Sequence, residues 1–319
     1  MHIVTGKGGT GKTTVAAALA MALAGEGRKV LLCEVEGRQG FAQLFDVAPL
    51  PYEERRIAVG LGGGLVNALA IDPEAALLEY LQMFYRLGRA GKALDRFGVI
   101  DFATTIAPGV RDVLLTGKVY EAARRRVGGP TSRFVYDAIV VDAPPTGRVT
   151  RFLGVNDGVA GLAKVGPIKK QSESVMEMMR SDSTRVHLVT LLEEMPVQET
   201  LDGIAELRSE HLPVGHVVVN LRRPSLVADE TAAVLRSGRL KEPAVAASLT
   251  SVGLPDSAAA TLLESGRHHV ERQDLQREQF ALLEQQHDAL VELPLVPGGM
   301  DLGALEDLAE RLRVVGGTA

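Results

Sequence analysis

The chain has 319 residues, 46% of them hydrophobic, enough to build a sizeable core and to exclude a disordered or fibrous protein. Its formal net charge of -5 gives no global basic field, so no nucleic acid is expected as a partner. A single cysteine excludes an internal disulfide and a multi-thiolate metal site; with no charged leader before the apolar N-terminal run, we expect a reducing, cytoplasmic compartment.

In chain order, short β-rich runs at 2–5, 29–35, 65–71, 137–142, 186–192, 216–221 and 289–295 predict strands separated by longer helical stretches. This alternation predicts an α/β fold, a mostly parallel sheet with helices on both faces. The run at 137–142 is apolar on both sides of the pleat, as a central strand is. Asp72 and Pro73 read as the N-cap and first position of a helix that continues through Leu77, Leu81, Phe84 and Leu87. We therefore expect helical insertions at about 72–130 and 154–183. From 225 to 288 the chain reads as polar helix, and Leu302, Leu305, Leu308 and Leu312 form a last stripe expected to pack on the sheet. No stretch approaches the roughly 20 apolar residues of a membrane span. With no repeat or low-complexity linker, residues 1–319 are expected to form one elaborated domain.

Between the first strand and its helix lies "GKGGTGKT", Gly6 to Thr13, the spacing of a phosphate loop (P-loop). Gly6, Gly8, Gly9, Thr10 and Gly11 bring backbone N–H groups toward phosphate oxygens, Lys12 supplies charge to the β- and γ-phosphates, and the Thr13 hydroxyl is placed to ligate Mg²⁺, with Thr14 following on the helix. Such a loop sees only phosphates and leaves the base open. At the carboxyl end of the 137–142 strand, Asp142 is placed to hold Mg²⁺ through water, and Pro145, Thr146 and Gly147 form a turn able to move with the γ-phosphate.

Lys7 reads either as a solvated charge or as part of a class motif. "KGGTGKTT" is similar to the deviant P-loop of the MinD, ParA, nitrogenase iron protein and ArsA proteins, where this lysine reaches a partner subunit's nucleotide. "DAPPTGRVTRFL" resembles the "DTAPTGHTLRFL" switch of ArsA-type ATPases at Asp142, Pro145, Thr146, Gly147, Arg151, Phe152 and Leu153; Ala143, Pro144 and Arg148 depart from it. "LLEEMPVQET" matches a further family segment at Glu193, Glu199 and Thr200, and "IDPEAAL" and "APGVRDVLLTGKVYE" resemble others. The resemblance implies ATP and Mg²⁺ as cofactors, Asn220 as an adenine reader, and an adenine loop at Pro294 and Leu295. It implies a homodimer, or a heterodimer with a second ArsA-like ATPase.

"CEVEGRQG", 33–40, stands where the family ends a strand in "TDPAH". Alignment puts Glu36 at the aspartate that positions the attacking water and approaches Mg²⁺, and Gln39 at the histidine. Glutamate keeps the charge but adds about 1.5 Å of reach, so turnover is expected to be slow or to need a partner subunit. Glu34 is the second candidate for this role. The stretch also resembles actinobacterial ArsA-like proteins that occur as paired subunits. Cys33 reads as core, His268-His269 as solvated, and Arg124-Arg125-Arg126 as an exposed helix end. Met83, Phe84, Met176, Met178 and Met179 fit either core packing or a client groove.

The expected function is an ATP-hydrolysing dimeric switch of the ArsA type, with Lys7, Lys12 and Glu36 catalytic, acting on an unknown client protein or membrane partner. One cysteine argues against binding a metalloid, and no CxxC is present. Two alternatives are a ParA/MinD-like positioning ATPase and a nucleotide-binding subunit with little turnover of its own.

Overall fold

The computed structural model describes residues 1–85, 108–129, 131–162 and 167–317. Among these, the chain runs β1 His2–Gly6, α1 Lys12–Leu23, β2 Lys29–Glu34, α2 Gly40–Leu44, β3 Arg55–Val59, β4 Leu65–Ala70, α3 Pro73–Tyr85 and α4 Pro108–Arg124. It continues with β5 Ala138–Asp142, α5 Thr146–Leu162, α6 Pro167–Arg180, β6 Arg185–Thr190, α7 Glu194–Ser209 and β7 Val214–Arg222. The last part holds α8 Asp229–Arg236, α9 Glu242–Ser251, α10 Ala259–Gln286, β8 Leu290–Pro294 and α11 Leu302–Gly316.

The strands form one eight-stranded sheet in the order β3-β4-β2-β5-β1-β6-β7-β8. All neighbours pair in parallel except β3, which is antiparallel to β4. β3 is a correction to the sequence reading, which found no strand in "RRIAV". Its burial does not alternate cleanly, and Arg55 and Arg56 are exposed at the sheet edge, where charge discourages further pairing.

Strand parity sorts the core into two layers. Val30, Leu32 and Val140 pack with Val15 and Leu19 of α1 and with Leu305, Leu308 and Leu312 of α11. Leu31, Cys33, Ile139 and Val141 face the other way, toward Leu115, Val149, Phe152, Val175 and Met179. Each fully buried side chain of this size contributes about 1.5–3 kcal/mol of transfer free energy. Cys33 is thus core. Met176 and Met179 are buried too, which supports packing over a groove for that pair.

Asp72 caps α3, accepting from the Ala75 N–H at 2.8 Å. The middle of the 72–130 stretch, including Leu87, lies outside the described residues, as do the side chains of Leu81, Met83 and Phe84. The expected Pro-Thr-Gly turn is corrected: α5 already begins at Thr146, so Pro145 precedes the helix and Thr146 and Gly147 form its first turn. The helical stretch expected from 154 therefore starts earlier, at Thr146. On α11 the stripe packs as expected except at Leu302, the first residue, which is exposed. Helices α8 to α10 carry a small separate cluster of Ala232, Leu235, Leu263 and Val270. Among the described residues, no helix is long and apolar enough to cross a membrane.

Candidate nucleotide site

The carboxyl ends of the central strands gather the candidate residues. β1 ends at Gly6, where a Cβ would lie 2.1 Å from the Val189 carbonyl oxygen of β6, so only glycine lets the strand turn out there. Gly11, at φ 88°, is the left-handed N-cap of α1, and no side chain caps this helix. Uncapped N–H groups at the start of a helix are a ready anion site. A Cβ on Gly11 would meet the Asn220 amide nitrogen at 2.3 Å.

Inside the loop, Thr10 is buried and its hydroxyl donates to the Lys7 carbonyl at 2.9 Å. The Lys12 ammonium reaches the same carbonyl at 3.4 Å. Burial lowers the Lys12 pKa, against the opposing pull of Asp142 and Glu36. Lys7 points elsewhere, pairing with Glu199 of α7 at 2.8 Å. Each partner is about a third exposed, so the pair is worth at most about 1 kcal/mol.

Asp142 closes β5 next to the loop. Its Oδ2 accepts from the Thr13 hydroxyl at 2.7 Å, while its buried Oδ1 has no partner. Burial pushes its pKa up to about 6; Thr13 and Lys12 oppose the shift, and Glu34 and Glu36 reinforce it. A hydroxyl on a carboxylate with a spare buried oxygen suits Mg²⁺, which takes one or two carboxylates and completes its shell with phosphate and water. No cluster of three His, Cys, Asp or Glu side chains forms a protein-only metal site among the described residues. The Thr5 hydroxyl donates to the Pro144 carbonyl at 2.7 Å and ties the start of the 144–147 segment to β1, while the buried hydroxyl of Thr146 has no partner.

The 33–40 segment folds over this site. Glu36, with its side chain 18% exposed, pairs with Arg38 at 3.3 Å and Arg148 at 3.8 Å. These groups line a cavity of about 170 Å³ together with Arg111, Asp112 and Pro144. Burial raises the Asp112 pKa, opposed first by Arg148. Glu34 is 2% exposed, and its Oε1 accepts from the Gly40 N–H at 3.3 Å. Gln39 takes a left-handed φ of 56° and uses its amide to pair with the Leu50 backbone at 2.7 and 3.1 Å. It faces away from a catalytic task.

Asn220 lies near the end of β7, 5% exposed, with its amide donating to the Thr10 carbonyl at 2.8 Å. Reading a base would require that amide to exchange Thr10 for the ligand. Pro294 closes β8, and the Leu295 N–H donates to the Arg222 carbonyl at 2.9 Å, holding the next loop against β7. A larger cavity of about 480 Å³, lined in part by Tyr52, Glu54, Glu79, Lys118 and Arg125, lies elsewhere. Its charges pair among themselves, Lys118 with Glu79 and Arg125 with Glu54.

A parallel sheet with a phosphate loop between its first strand and helix, and a carboxylate closing the adjacent strand, defines a P-loop nucleotide-binding α/β protein. The sequence profile of the anion-transporting ATPase (ArsA) family matches residues 1–182. The chain is 54% identical over 318 residues to ATPase BagA of Mycobacterium tuberculosis, covering 98% of this chain and 92% of that one. It is 27% identical over 280 residues to the arsenical pump-driving ATPase of Acidiphilium multivorum, covering 81% of this chain and 45% of that one. With ATPase GET3 of Kluyveromyces lactis the identity is 26% over 251 residues, 68% of this chain and 70% of that one. The chain belongs to the anion-transporting ATPase family.

Proposed function

We propose that the chain is a Mg²⁺-dependent ATP hydrolase working as one half of a dimer, its opening and closing coupled to a client. The observation that carries the reading is the 2.7 Å hydrogen bond from Thr13 to Asp142, which brings phosphate loop and strand-end carboxylate together with one carboxylate oxygen to spare. In this reading the N–H groups of Gly8 to Thr14 hold the phosphates and Lys12 neutralises their charge. Thr13 and Asp142 hold Mg²⁺, which would supply Lewis-acid stabilisation of the phosphate oxygens. Glu36 orients the attacking water, and Thr146 lends its free hydroxyl to the switch. Asn220, Pro294 and Leu295 flank the adenine.

Lys7 has a second role in the dimer. Its contact with Glu199 is weak enough to be exchanged for a phosphate across an interface, so the pair works as a resting position. Glu36, neutralised by Arg38 and Arg148, favours slow turnover until a partner subunit shifts one of the arginines. Sedimentation with Mg²⁺ and a non-hydrolysable ATP analogue tests the dimer, alone and with a second ArsA-like subunit. The expected outcome is nucleotide-dependent association that Lys7→Ala abolishes while monomers still bind nucleotide. Association without nucleotide dependence, or unchanged in Lys7→Ala, would reject the dimeric switch.

A further inference from the structure

A buried carboxylate, Glu34, and a half-buried one, Asp142, lie side by side next to the phosphate loop, and the reading above uses only Asp142 as a metal holder. Glu34, the last residue of β2, is the register partner of Asp142, the last residue of β5. Register partners on adjacent strands project from the same face of a sheet, with strands about 4.8 Å apart. Here that face is the α1 face, because Leu32 and Val140, two residues earlier on the same strands, pack in the α1 layer.

Each acid has one oxygen engaged and one orphaned. Asp142 accepts from Thr13 at 2.7 Å and Glu34 from the Gly40 N–H at 3.3 Å, while Asp142 Oδ1 and Glu34 Oε2 are buried without a partner. The tether on Glu34 also reaches the phosphate loop: a Cβ on Gly40 would lie 2.8 Å from Thr13 Cγ2. The plain alternative is that Glu34 only anchors Gly40. That task occupies a single oxygen in a long hydrogen bond, and an uncharged glutamine would perform it equally well. Burying an unpaired charge costs several kcal/mol, and placing two at neighbouring positions costs more unless a cation lies between them.

We propose that Glu34 is a second carboxylate of the divalent-cation site, joining Asp142 and Thr13. The proposal rests on the reading of Gly6–Thr13 as the nucleotide site and of Asp142 as its metal holder.

The test measures Mn²⁺ affinity of the ADP-bound protein by electron paramagnetic resonance, together with thermal melting in EDTA. Glu34→Gln should weaken Mn²⁺ binding about 10–100-fold and leave ADP affinity in EDTA unchanged. Glu34→Asp, which keeps the charge, should retain most of the affinity. In EDTA, Glu34→Gln should melt above the wild type, because a charge facing Asp142 is gone; with Mn²⁺ and ADP the order should reverse. Unchanged Mn²⁺ affinity in Glu34→Gln beside a loss in Asp142→Asn overturns the proposal and leaves the site reading standing. A Glu34→Gln melting shift that is the same with and without metal, zero included, also overturns it, since a simple anchor does not respond to the cation. If Asp142→Asn itself leaves Mn²⁺ affinity unchanged, the underlying site reading fails with the proposal.

Discussion

Glu36 sits between two arginines, Arg38 at 3.3 Å and Arg148 at 3.8 Å, and the three line a cavity together with Asp112. Two departures from the motifs of the resembled family thus face each other: Glu36 at the aspartate of "TDPAH" and Arg148 at the histidine of "DTAPTGHTLRFL". If Glu36 orients water, Glu36→Gln should lower turnover about 100-fold or more while leaving ATP affinity within a few-fold, measured by steady-state kinetics and equilibrium binding. Equal turnover would move the role elsewhere. At this scale the sequence located the site better than it described it. Motif spacing pointed to Lys12 and Thr13, strand position to Asp142 and the family resemblance to Lys7, and the structure brings Thr13 and Asp142 into contact. The sequence could not show that Lys7 rests on Glu199, that Gln39 holds the Leu50 backbone, or that the Asn220 amide is spent on Thr10, since these contacts join distant parts of the chain. Glu34 was only a second candidate in the sequence, because burial and register with Asp142 become visible only once the strands pair.

Among the elements, long apolar runs and capped helices were legible and the edge was not. The cores of β2 and β5 are continuous apolar text, and Asp72 caps its helix as its type suggests; the Asp301 cap was not read from the sequence. β3 is short, arginine-led and half exposed, so its text resembles a loop. Three strands carry a feature no pattern announced. His2 of β1 and His187 of β6 contact through their ring nitrogens at 3.0 Å, and the His216 N–H of β7 donates to His187 at 3.0 Å. Burial lowers the pKa of His2 to about 3 and that of His187 well below its usual value; the Met1 amino group, Arg185 and His216 add to the effect. His216 is also lowered, by burial and by His287. The unfolded chain therefore binds protons between the folded values and about pH 6.5 that the native state refuses, so stability is intact above pH 6.5 and falls as the pH drops below it. Denaturant melts from pH 7 to 4 should show the loss, at up to about 1.4 kcal/mol per pH unit for each histidine. His2→Gln should make that slope shallower; an identical slope would place the acid sensitivity elsewhere.

At the scale of the molecule, one sheet separates two helical layers, and the candidate site lies where the central strands β1, β2 and β5 end. The strand-and-helix alternation made this architecture readable, since parallel strands need crossover helices and must be buried on both faces. No client was readable, because the chemistry of a phosphate loop is the same whatever it is coupled to. Membership of the anion-transporting ATPase family fixes the class, and the Glu36 departure leaves turnover as the property to measure. The most direct test is phosphate release from ATP and Mg²⁺ by the purified chain, alone and with a second ArsA-like subunit, with Lys12→Ala as the control. The expected result is Mg²⁺-dependent release that is slow alone, faster with the partner, and absent in Lys12→Ala. Bound ATP with no release in either condition, or release undiminished in Lys12→Ala, would contradict the assignment of this site as an ATP-hydrolysing switch.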